Sequence, residues 1–179
     1  WVKNCVAIGL ASNFIEPMEA TSIGSSIQQS FMLVHSLINY DDNVIKSYNK
    51  SYKKMMHNIR DFVVLHYVTK KDNTQFWRDI QNMELPPFLA ENLPKWKHKL
   101  PTKEDFAGGS SYDMFAENNY ILCLHGLGLF NTESIKAEYD AIALNLKAST
   151  EALLSDIRFK ELNTSYVTHK QYIANIRNL

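Results

Sequence analysis

The segment Phe14-Ile15-Glu16-Pro17-Met18-Glu19-Ala20-Thr21-Ser22 gathers two carboxylates, a proline and a string of backbone amides where the pattern behind it predicts the head of a long helix. Two chemistries are open to such a stretch. In the ordinary one, Glu in a first turn opposes the positive end of the helix dipole, and Pro at the first helical position sacrifices no hydrogen bond because its N–H had no partner there. In the other, the amides near Thr21 and Ser22, with no carbonyl one turn back, hold an anion. A carboxylate such as Glu19 beside that anion site then serves as a general base toward a developing cation.

The elements that must position this segment follow from hydrophobic spacing. Cys5-Val6-Ala7-Ile8-Gly9-Leu10 is short, apolar and rich in β-branched residues, and Ala11-Ser12-Asn13 closes it, which predicts a buried strand running into a turn. After Pro17, residues Ile23, Ile27, Phe31, Val34 and Leu37/Ile38 recur at three- and four-residue spacing and predict a helix of about six turns. Val44, Tyr48, Tyr52, Met55, Ile59, Phe62/Val63 and His66/Tyr67 keep the same period and predict a second long helix beside the first. Thr74 is placed to cap a short helix through Trp77 and Ile80, and Leu85-Pro86-Pro87 turns into another that ends near Leu100-Pro101. Gly108-Gly109-Ser110-Ser111 is a flexible loop. Tyr112–Leu124 forms an apolar element stopped by Gly126-Leu127-Gly128. Ile135, Tyr139, Ile142, Leu146, Leu153/Leu154 and Ile157 mark a long amphipathic helix opened by Asn131-Thr132-Glu133, and a last helix follows Thr164-Ser165.

Composition bounds the partners. The 179 residues are 45% apolar, with 19 Lys+Arg against 19 Asp+Glu, enough for one sizeable core and no basic field for nucleic acid or a membrane surface. Small molecules or protein remain. Cys5 and Cys123 sit far apart in apolar stretches, outside any CxxC or Cys/His cluster, and are read as buried thiols in a reducing compartment. No metal is expected. Apolar runs such as Phe62–Val64 and Ile121–Leu124 are too short to cross a bilayer and no signal-peptide pattern opens the chain, so a cytoplasmic location is expected. Opening on Trp1, with an apolar segment almost at once, suggests a chain cut from something longer.

Other candidate residues have plainer readings. Gly126-Leu127-Gly128 lacks the third glycine of a dinucleotide loop and follows no β-α unit, so it is a turn. His66 and His125 read as core or helix-end histidines. Arg60 and Asp61 are adjacent on a helix and should find different partners. Trp77 and Trp96 read as packing anchors.

The segment Trp1-Val2-Lys3-Asn4-Cys5-Val6-Ala7-Ile8-Gly9-Leu10-Ala11-Ser12, followed by the Glu-Pro-x-Glu-x-Thr run, resembles the part of flavin-dependent tryptophan halogenases that follows the last strand of the flavin domain. Ile59-Arg60-Asp61-Phe62-Val63-Val64-Leu65-His66-Tyr67, Asp72-Asn73-Thr74-Gln75-Phe76-Trp77-Arg78, and Asn119-Tyr120 through Gly126-Leu127-Gly128 resemble further blocks of that family in the same order. The resemblance covers roughly the first 130 residues. In the family, reduced FAD and dioxygen oxidise a halide to hypohalous acid, which passes by way of a lysine to an electron-rich ring. It implies that Glu19 is the carboxylate assisting electrophilic attack and that Thr21 and Ser22 contact the halide. Leu10, Ala11 and Ile23 would lie against the flavin ring. The family has Ser and Gly where this chain has Ala20 and Ser22, and both changes keep the backbone donors. Tyr112 and Phe115, with Glu117, are the aromatic-site candidates, although the family's paired tyrosines and Phe-Trp pair are not reproduced; both also read as core aromatics.

The glycine-rich flavin loop, the family's tryptophan-rich motif and its catalytic lysine have no counterpart here, and neither Lys3 nor Lys46 replaces the last. The expected fold is therefore mainly α: a helical C-terminal layer of a flavin monooxygenase-like α/β enzyme with one strand-to-helix junction. Residues 1–24 would end the flavin-binding domain and 25–179 form a helical substrate-side domain. The implied partners are a small aromatic substrate, tryptophan or indole-like, and a separate flavin reductase; a homodimer stays open. The alternatives are a monooxygenase-like or degenerate protein on the same fold, and a non-catalytic helical interaction module.

Overall fold

The computed structural model describes residues 1–141, 148 and 168–177. The chain divides into two compact units, Trp1–Ile135 and Lys136–Leu179. Its helices among the described residues are α1 (Thr21–Leu37), α2 (Asp42–Leu65), α3 (Gln75–Gln81), α4 (Pro87–Trp96), α5 (Glu117–Gly126), α6 (Thr132–Ala141) and α7 (His169–Arg177). No described helix is long and apolar enough to cross a membrane.

Helix starts follow local chemistry. Asp41 caps α2 by accepting from the amides of Asn43 and Val44 at 2.9 and 2.8 Å, and Thr74 Oγ1 accepts from Trp77 at the head of α3. Pro87 opens α4, where its missing donor costs nothing. Asn131 Oδ1 accepts from the Ser134 amide and starts α6. The expected continuation of α6 past residue 141 and the Thr164-Ser165 start lie outside the described residues. The expected apolar element from Tyr112 is helical only from Glu117; Met114 and Phe115 instead run alongside α2, clipped by Asn58, which accepts from both amides and donates to the Phe115 carbonyl at 2.7 Å.

The core is built around α2. Its Met55, Ile59, Phe62 and Leu65 are buried, and Trp96 of α4 and Tyr120 and Leu124 of α5 close over them. The rings of Phe62 and Phe115 stack at 4.0 Å and Tyr120 meets Phe62 at 5.1 Å. Stripping this much apolar area from water is the main source of stability in the first unit.

The expected strand at Cys5–Leu10 does not form. A strand satisfies its N–H and C=O groups only through a neighbour, and none of the described residues supplies one. The backbone instead closes a Val2–Cys5 bridge and then a 3₁₀ turn over Gly9–Ala11. Gly9 has φ +61°, and a Cβ there would lie 2.7 Å from Ser26 Oγ, so a side chain would be both strained and crowded. With no strand to bury it, Cys5 is exposed and Cys123 is only half-buried, against the expectation for both.

Candidate functional site

Helix α1 begins at Thr21, four residues later than Pro17 predicts. Between them Met18–Ala20 makes a 3₁₀ turn in which Glu19 and Ala20 take left-handed backbone angles, φ 60° and 50°. Two consecutive non-glycine residues there cost on the order of 1 to 3 kcal/mol each and persist only where surrounding contacts impose them. Those contacts come from the end of α2. The Tyr67 hydroxyl lies 2.7 Å from both carboxylate oxygens of Glu16, a hydrogen bond that pushes the phenol above its ordinary value. His66 Nε2 lies 3.5 Å from Glu19 Oε1. Two consecutive residues just past the end of α2 thus contact both acids of the Glu-Pro-x-Glu turn.

The two acids have different fates. Both oxygens of Glu16 are engaged by Tyr67, whereas the Glu19 side chain is 46% exposed and meets the edge of His66. His66 Nδ1 sits 2.8 Å from the Phe62 carbonyl, which takes the Nδ1 proton, so Nε2 can donate to Glu19 only when the ring carries a second proton. Glu19 also raises the thiol of Cys123 on α5: burial first, and then the carboxylate charge, push it to about 11. Spacing on a helix face could not reveal His66 or Cys123, because each meets Glu19 from a different element.

Beyond the turn, Thr21 is buried and its hydroxyl donates to the carbonyls of Glu16 and Met18. Thr21 and Ser22 line a cleft of about 10 Å³ with Asn13, Phe14 and Ile15, room for one water-sized occupant. The head of α1 borders it through Thr21 and Ser22, and first-turn amides without an intrahelical partner suit an anion. Glu19 does not line this cleft.

Of the other expected site residues, Leu10 and Ile23 are 71% and 68% exposed, and Ala11 is exposed in the Gly9–Ala11 turn. Gln29, which the sequence did not single out, is buried and holds that turn: its Oε1 accepts from the Gly9 amide at 2.8 Å and its Nε2 donates to Ser12 Oγ at 3.0 Å. Phe115 is buried against Phe62, and Tyr112 is half-buried beside the core. Contrary to expectation, Arg60 pairs with its neighbour Asp61, Nε and Nη2 reaching Oδ1 at 2.8 and 2.6 Å. The long arginine stem folds back along the helix, so the rule against adjacent contacts, which holds for short side chains, does not apply.

Residues 1–142 match the sequence signature of tryptophan halogenases. A 7-chloro-L-tryptophan 6-halogenase from Kutzneria sp. is 30% identical over 100% of this chain and 34% of its own length. The tryptophan C-6 flavin-dependent halogenase of taromycin biosynthesis superposes with a TM-score of 0.82 at 29% identity, over 99% of this chain and 36% of its own. A flavin-dependent halogenase from Brevundimonas sp. superposes at 0.74 with 26% identity, covering 98% and 35%. The chain therefore spans about a third of the length of these relatives.

Proposed function

The chain belongs to the tryptophan halogenase family, and from that premise we propose that it forms the substrate-side third of an enzyme that halogenates an electron-rich aromatic ring, tryptophan or an indole-like compound. Reduced FAD, when bound, supplies with dioxygen the oxidising power that converts halide to hypohalous acid; a separate flavin reductase would provide the reduced flavin. The residues here fit a supporting share of that chemistry. The water-sized cleft at Thr21 and Ser22 suits a single halide, and exposed Leu10, Ala11 and Ile23 offer apolar cover to one edge of a flat ring.

Glu19 does the acid–base work in this reading. Ring C–H and hypohalous acid give C–X and water, and Glu19 takes the proton that leaves the ring carbon. His66 holds the carboxylate through Nε2 when its ring carries the second proton. The observation that carries the proposal is the paired left-handed turn at Glu19 and Ala20, which sets a half-exposed carboxylate immediately ahead of the first turn of α1.

The test is Glu19→Gln in the complete enzyme that contains this chain. Halide-dependent gain of product mass should be lost while flavin reoxidation continues at its former rate. Incorporation of oxygen instead of halogen would overturn the proposal in favour of a hydroxylase on the same scaffold.

A further inference from the structure

His66 sits just past the end of α2, and its contacts fix what the imidazole can do. Nδ1 lies 2.8 Å from the Phe62 carbonyl, which can only accept, so this nitrogen carries the proton of the neutral ring. The ring meets Phe62 edge-on, with centroids 4.8 Å apart and planes at 89°, which holds its orientation. Nε2 is thereby left as a lone pair facing Glu19 Oε1, 3.5 Å away.

That separation is longer than an ordinary hydrogen bond. A lone pair opposite a carboxylate requires as much, because two acceptors have no proton between them. One added proton changes this in either of two ways. On Glu19 it makes Oε1–H a donor to Nε2; on Nε2 it makes an imidazolium that donates to the carboxylate. The contact therefore has room for one proton, and holds none while Glu19 is a carboxylate and the ring is neutral.

The proposed reaction delivers that proton. Glu19 takes it from the ring carbon of the substrate and must lose it before the next turnover. An imidazole is ordinarily a stronger base than a carboxylate, so transfer from Oε1 to Nε2 runs downhill. The other titratable groups placed about the pair do not compete. Both oxygens of Glu16 accept from the Tyr67 hydroxyl, and that phenol, pushed above its ordinary value, keeps its proton. The Cys123 thiol on α5, raised to about 11, keeps its proton at neutral pH. The His66 side chain is 24% exposed, which gives the imidazole an outlet to water.

We infer, on the strength of the proposed function, that His66 is a positioning residue that also clears Glu19: neutral, it accepts through Nε2 the proton that Glu19 has removed from the substrate ring, and charged, it holds the restored carboxylate until that proton passes to water. In this step the Glu19 Oε1–H bond breaks, its electron pair stays on Oε1, and the Nε2 lone pair forms the new N–H bond. The Nδ1 proton remains on the Phe62 carbonyl throughout and keeps the ring from turning.

Two measurements on the complete enzyme that contains this chain test it. Nitrogen NMR with labelled histidine should show neutral His66 as the Nδ1–H tautomer. A proton on Nε2 instead would occupy the lone pair and overturn the inference, with no variant needed. In kinetics, His66→Gln keeps an amide donor for the Glu19 carboxylate but cannot take its proton. It should lower kcat for halogenation at least about tenfold, the lower end of what proton transfer contributes, and leave KM for the aromatic substrate and the rate of flavin reoxidation unchanged. Its kcat should also fall further in D2O than that of the unsubstituted enzyme, because the last proton transfer then limits turnover. A His66→Gln enzyme that halogenates at the original rate overturns the inference. So does one whose loss brings no larger solvent isotope effect, since His66 would then serve structure alone. Glu19→Gln separates the two readings: full halogenation by that variant sinks the proposed function itself, whereas its loss beside a fully active His66→Gln sinks only the part given to His66.

Discussion

Helix α2 buries Met55, Ile59, Phe62 and Leu65 and leaves its polar stripe to solvent, whereas α1 turns Ile23, Ile27, Phe31 and Val34 outward at 53 to 68% exposure. Its inner face is Thr21, Ser25, Gln29 and Met32, three of them polar. Both helices carry the same hydrophobic period, so periodicity locates a helix without saying which side meets the core. What decides is hydrogen bonding: Thr21, Ser25 and Gln29 each have partners in the preceding turns, so their burial costs little. The outward stripe, with Leu10 and Phe14 also exposed, is a contiguous apolar face of the kind that marks an interaction surface. For a chain spanning a third of its relatives' length, the flavin-binding part is the occupant that the proposed function supplies.

The sharpest break of this comparison is a pair of truncations. Ile59→Ala in α2 should cost about 2 to 5 kcal/mol, from lost transfer energy plus a cavity. Phe31→Ala in α1 should change stability by no more than about 0.5 kcal/mol, the range for a surface site. Urea unfolding measures both. A Phe31→Ala cost as large as that of Ile59→Ala would show α1's outer face already covered within this chain.

Next in size is Gln29→Leu, which swaps the inner polar face of α1 for the apolar character of α2. The Gly9 amide and Ser12 hydroxyl lose their acceptor and donor. Stranding them should cost about 1 to 3 kcal/mol. Hydrogen exchange at Gly9 should also quicken. Unchanged stability and exchange would mean that the turn holds without Gln29.

These two helices also show what the sequence could carry. Both were legible to within a few residues, as were the cap at Thr74, the turn into α4 at Pro86-Pro87 and the start at Thr132, because period and capping are local. The strand at Cys5–Leu10 was not, since strand formation depends on a partner elsewhere, and the Gly9 turn depends on a glutamine 20 residues away. The neighbourhood of Glu19, Thr21 and Ser22 could be named from order and type alone. Its geometry could not: the left-handed pair at Glu19 and Ala20 is imposed by His66 and Tyr67 from the far end of α2. The hold of Asn58 on Phe115, and the buried unpartnered atoms of Asp113 and Tyr120, arise where segments far apart in sequence meet.

A smaller effect probes the joint between the helices. Ala20→Gly removes the left-handed penalty at φ 50° and should stabilise the chain by about 1 kcal/mol, less the extra entropy glycine brings to the unfolded state. Thermal unfolding reads it. A loss of stability would mean that the Ala20 methyl group makes packing contacts worth more than the strain.

The smallest effect concerns where the Glu19 carboxylate sits, and the two thiols report it. Cys5 is exposed and serves as an internal control, whereas the Cys123 thiol is raised to about 11 by burial and then by the charge of Glu19. Only the thiolate is alkylated. Glu19→Gln removes a negative charge that opposes thiolate formation, so Cys123 should react a few-fold faster with iodoacetamide at pH 8 while Cys5 keeps its rate. The sign extends to stability. A folded thiol whose pKa lies above the ordinary 9.0 contributes stability that is present below pH 9 and lost as pH rises through about 11. Cys123→Ala should therefore flatten the decline in stability across that window, and Glu19→Gln should flatten it in part. If Glu19→Gln leaves both the alkylation rate and the slope untouched, the carboxylate points away from α5. The grip of His66 would then not hold it at the head of α1.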